Sequence, residues 1–164
     1  MLHPAAVHFA IVLPILSLVI GVAYLIKPSE LTSKISTRFM VFATIFLIIA
    51  FFTGKEDGGE AYVLLSSEGQ ALLKEHKTFG LYLTWAMGIA AIVKLYGCFK
   101  GNIKAEIFAV LLVAILAGAP LYQGKMGGEL TYTHGANVLN HSDGMDCLEE
   151  EAEDEAEDEE DDDE

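Results

Sequence analysis

Residues 1–26 read MLHPAAVHFAIVLPILSLVIGVAYLI. From Ala5 to Ile26 this is a run of 22 mainly apolar positions, and roughly 20 are enough for a helix to cross the hydrocarbon of a bilayer. No Lys or Arg precedes the run, and Lys27-Pro28-Ser29 stands where a cleavage site would need small residues. It is therefore expected to be a retained span rather than a removed signal. Pro4 suits the first turn of a helix. Pro14 is expected to kink the helix unless neighbours satisfy the carbonyl it frees. His3 and His8 lie within the first turns. An ionisable ring at that depth marks a functional-site hypothesis. At about 100° per residue the two rings sit on different helix faces, so a chelate formed by these two on one face is not expected.

Working outward, the pattern repeats. Windows at about 36–53, 79–98 and 105–123 are each apolar enough to form a further span. Gly54 is expected to end the second span, and Asp57-Gly58-Gly59 reads as a turn in the long connection that follows. The Leu72, Leu73, His76 spacing reads as helix leading into the third span. Lys94, near the far end of that span, is expected to snorkel to the interface. Gly127 and Gly128 read as a turn after the fourth span. The fold class this gives is all-α, an integral membrane four-helix bundle over residues 1–138, followed by a disordered acidic tail over 139–164.

Composition agrees. The chain is 52% apolar with positive mean hydropathy, although its net charge is −14. Glu149 to Glu164 hold 14 of the 24 acids, leaving 10 acids against 10 Lys and Arg elsewhere. The acidity belongs to the tail, which cannot bury a core. No basic, aromatic-interleaved patch points to nucleic acid. No nucleophile–base pair, phosphate loop or protease motif appears, so a hydrolase or transferase is not expected.

Basic residues are more frequent in the first and third connections than in the second connection and the C-terminal segment. That bias places the two termini and the long middle connection outside the cytoplasm. Four spans put His3, His8, His76, His134 and His141 at one face. Cys98 and Cys147 fall on opposite faces, so no disulfide within the chain is expected.

Three patches recur at that face: HPAAVHF at residues 3–9, Thr53-Gly54 with Glu75-His76, and GGELTYTHG at residues 127–135. With them the chain resembles the bacterial membrane-protein family known as domain of unknown function 2231. That family's pattern is HPxxVHFP, a TG closing span two, a His opening span three, and GGxLxYxHG. The resemblance covers about Met1 to Val138. Ala10 departs from it, standing where the family tends to have Pro. The resemblance implies a multi-pass protein of the bacterial inner membrane. Some relatives carry a Rieske iron–sulfur domain, which implies electron transfer, with respiratory or redox proteins expected as partners at the outer face; the two cysteines here lack the spacing of such a domain.

The histidines support several readings. His8 and His76 lie at similar depth on different helices, as axial ligands of a b-type haem would. His76, Gly80, Thr84 and Gly88 form an i, i+4 stripe that leaves room for a flat macrocycle, and His134 reads as a third cofactor-pocket residue. The same stripe also serves plain helix packing. A non-haem site could draw on His8, His76 and His134, with Glu129 or Asp57, for zinc or copper. A cofactor-free structural or assembly subunit needs only interfacial histidines; His3 and His141 read as solvated. Oligomeric state is not legible.

Overall fold

The computed structural model describes residues 2–136. In it α1 runs His3–Ile26, α2 Glu30–Tyr62, α3 Ser67–Lys100, α4 Ile103–Leu116 and α5 Ala119–Tyr132. There is no strand among the described residues. The expected disordered tail, His141 and Cys147 lie outside them.

The helix starts follow from side chains that satisfy free backbone N–H groups. Ser29 accepts from the Thr32 N–H at 3.1 Å, and Ser66 from the Gly69 N–H at 3.2 Å. Asn102 accepts from the N–H groups of Lys104 and Ala105. Gly101, at φ 59°, ends α3 in the left-handed region that favours glycine. Ala117 and Gly118 separate α4 from α5, and Pro120 stands in the first turn of α5. Together α4 and α5 make one of four segments long and apolar enough to cross a membrane.

Burial is inverted relative to a water-soluble bundle. The buried side of α1 is Ala6, Ala10, Pro14, Ser17 and Gly21. It packs against α2, which along this stretch buries Ser33, Ser36, Thr37, Met40, Ala43, Leu47 and Ala50. Large apolar side chains face outward instead, among them Phe42, Phe52, Trp85, Ile92 and Ile115. In lipid the outside is as apolar as the inside, so small residues that let backbones approach make the helix contacts. Ser17 and Ser36 complete this contact by each donating to the other's backbone carbonyl at 3.1 Å. Ala43, Leu47, Leu83 and Met87 fill the centre.

Three sequence expectations change here. Gly54 does not end α2, which continues through Gly58 and Gly59 to Tyr62. Gly127 and Gly128 lie inside α5 rather than in a turn. In both cases glycine admits a neighbour instead of breaking the helix: a Cβ on Gly58 would meet Leu73 at 3.3 Å, and one on Gly127 would meet His76 at 3.4 Å. The third is Lys94, which does not snorkel. It is fully buried and ion-paired with Glu106. A Cβ on Gly97 would lie 2.9 Å from the Glu106 backbone nitrogen, so the missing side chain lets α4 close over α3 and bring the carboxylate in. The Ser33 hydroxyl donates to Glu106 at 2.5 Å, and the Tyr24 ring lies 5.1 Å from the Lys94 ammonium.

Candidate functional site

At about 1.5 Å per residue, the 33 and 34 residues of α2 and α3 span roughly 50 Å, against about 30 Å of hydrocarbon. Their extra turns meet the start of α1 and the end of α5, and between them lies a cavity of about 580 Å³. That is within the range of small-molecule and cofactor sites, about 300–1,000 Å³. Ala10, Leu47, Leu83 and Pro120 contribute apolar lining, and Gly54, Gly80 and Gly127 make room.

Three imidazoles line this cavity: His3, His8 and His76. The Nδ1 of His8 lies 2.6 Å from the Pro4 carbonyl oxygen, and the Nδ1 of His3 lies 2.8 Å from that of Ala50. A carbonyl only accepts, so in both rings Nδ1 carries a proton, and a neutral ring so held has its lone pair on Nε2. That is the form in which an imidazole binds a metal, with the other nitrogen tied to a backbone carbonyl. His76 differs. Its Nδ1 is buried without a hydrogen-bond partner, and so is the Oε1 of Gln123 beside it.

Lys55, Lys74 and Lys77 also line the cavity, and among the described residues no Asp or Glu does. Lys74 lies over the Tyr62 ring at 5.5 Å. Among the described residues the lining therefore combines an apolar interior, three imidazoles and three lysines. It suits an amphipathic ligand with an anionic edge.

Of the residues singled out from sequence, His8 and His76 are brought to one cavity, and Gly80 and Thr84 of the small-residue stripe line it as well. Gly88 does not line it and has no neighbour within 4 Å of a built Cβ. His134 is set apart: it is not among the lining residues, and its side chain packs on Gly69, 3.1 Å from where a Cβ would stand. His3 takes the third place. The signal was Thr53-Gly54: a Cβ on Gly54 would lie 2.6 Å from the His3 ring, so this glycine is the seat of that imidazole. Among the described residues no group of three or more His, Cys, Asp or Glu comes close enough to hold one ion. The set His8, His76, His134 proposed for zinc or copper is thus not assembled.

Four helices of membrane-crossing length and composition, packed through small residues with large apolar side chains outward, define a multi-span membrane protein. The chain belongs to the predicted membrane protein family DUF2231, whose profile matches residues 1–140. No curated protein and no solved structure matches it.

Proposed function

We propose that the histidine cavity holds a b-type haem and that the protein is a small electron-transfer subunit of the membrane. What supports this reading above all is the lining: three imidazoles and three lysines around an apolar space, with no carboxylate from the described residues among them. His8 and His76, on α1 and α3, are the axial ligands in this reading, and His3 is a third imidazole braced against α2. Lys55, Lys74 and Lys77 match the two propionates of a haem. The bound haem would supply one-electron exchange at its iron. The protein's part is to fix the ring nitrogens, exclude water with the apolar lining, and neutralise the anionic edge.

The orientation belongs to the same reading. The bias of Lys and Arg toward the first and third connections puts the cavity end outside the cytoplasm, which in a bacterial inner membrane is the periplasmic side. Redox proteins at that face would be the partners.

The test is the absorption spectrum of the full chain purified in detergent from a haem-replete host, oxidised and then reduced, with metal analysis of the same sample. The expected result is a Soret band and a visible band that sharpens on reduction, both lost in His8→Ala and in His76→Ala. Loss in His3→Ala with retention in His8→Ala would move the first ligand to His3. A colourless sample would overturn the haem reading. Stoichiometric zinc or copper in it would put a metal-binding protein in its place, and neither would leave a structural or assembly role.

A further inference from the structure

The contact between α3 and α5 is reciprocal. The His76 ring of α3 lies against Gly127 of α5, and the Gln123 amide of α5 lies over Gly80 of α3, where a Cβ would stand 2.9 Å from Nε2. Each side chain thus occupies the notch left by a glycine on the opposite helix, one turn along from that helix's own projecting side chain. The Gln123 Nε2 donates to the His76 backbone carbonyl at 2.8 Å. This fixes the amide orientation, because turning it over would set one oxygen against another. Oε1 is then an acceptor in need of a donor.

Only two buried side-chain polar atoms among the described residues have no partner, and they are Oε1 of Gln123 and Nδ1 of His76. They belong to residues already joined by the bond from the Gln123 amide to the His76 backbone carbonyl, and both residues line the same cavity. A buried polar atom left unpaired costs about 1–3 kcal/mol. Two such atoms, one able to donate and one only able to accept, are what a single bridging water satisfies.

We infer that Gln123 is the positioning residue of His76: through one shared buried water it holds the proton on Nδ1 and leaves the Nε2 lone pair for the ligand in the cavity. This rests on the haem reading, in which Nε2 meets the iron. His3 and His8 have backbone carbonyls for this purpose; His76 has the Gln123 amide. The outer partner of an axial imidazole sets how much electron density the ring gives to the metal, and so the reduction potential.

The test compares wild type, Gln123→Leu and Gln123→Glu as purified haem-loaded protein, reading haem retention, midpoint potential and melting temperature. Gln123→Leu removes the acceptor. It is expected to weaken haem binding about 10–100-fold and to raise the potential. Gln123→Glu offers a stronger acceptor and is expected to lower it. A merely structural role would move melting without moving the potential in opposite directions. Nitrogen NMR of labelled histidine in haem-stripped protein gives a readout free of the cofactor: His76 is expected to be protonated at Nδ1 in wild type and to lose that preference in Gln123→Leu. Wild-type potentials in both variants, or a His76 proton on Nε2 throughout, would overturn the inference while leaving the haem reading standing. A wild type without haem would overturn both.

Discussion

At Gly97 a missing side chain lets the α4 backbone close over α3, and the space is filled by Lys94, Glu106 and Ser33, each with a partner. At Gly54, Gly80 and Gly127 missing side chains admit an imidazole, an amide and a second imidazole, and these line a cavity rather than fill it. Among the described residues, one end of the bundle has satisfied its buried polar groups internally; the other keeps two unpaired. The difference separates holding the fold from binding. A buried charge pair adds little net stability over an apolar core, but breaking it is costly. A cavity lined by glycines and imidazoles gives up packing in return for room. The closed end should therefore respond to substitution in stability, and the open end in ligand retention.

The largest expected effect tests the closed end. Glu106→Leu leaves the Lys94 ammonium buried and unpaired, and should cost about 3–5 kcal/mol in unfolding measured in detergent. The double variant Lys94→Met with Glu106→Leu should recover most of that loss. If the double variant is no better than the single, the pair is not what closes this end. Next is Gly97→Ala. The added methyl meets backbone, not a movable side-chain tip, and overpacking of this kind costs about 1–3 kcal/mol. Under the proposed haem reading, haem retention should be unchanged in it.

Gly54→Ala sharpens the contrast. Its methyl meets the His3 ring at 2.6 Å, and a ring can turn where backbone cannot. The gain of about 1 kcal/mol from replacing a helical glycine offsets the displacement, so melting should barely move while ligand retention falls. Melting that drops as far as in Gly97→Ala would erase the distinction between the ends. The smallest effect is on stability and concerns sidedness alone. A single cysteine at exposed Lys104, in a chain whose Cys98 and Cys147 are Ser, should react with an impermeant maleimide only from the cytoplasmic side. Labelling from outside would invert the proposed orientation.

Much of this architecture could be read from residue order. Apolar windows and short polar connections are local signals, and an even number of spans brings alternate connections to one face. Hence the gathering of His3, His8 and His76 was within reach. What could not be read depends on partners distant in the chain. Gly54, Gly58 and Gly127 look like helix breakers until the side chain or helix lying against them is known; in place, their lack of a side chain is the contact. Lys94 reads as a snorkelling cation because Glu106 is separated from it by a helix end, Gly101 and a new cap. Gln123 carried no signal, since its meaning comes from the unpaired nitrogen of His76 across the helix contact. The place of His134 in GGELTYTHG does not reveal its contact, which is with Gly69, also distant in the chain.

The join between α4 and α5 bears on how the two ends communicate. Gly118 and Ala119 sit where the backbone ladder is interrupted, Pro120 has no N–H to continue it, and the next bonds return to Gly118 at 3.2 and 3.3 Å. The ion-paired segment and the segment carrying Gln123 and Gly127 are thus two struts meeting at a joint, not one beam. A substitution at the ion pair is therefore expected to leave the cavity-lining residues of α5 in place.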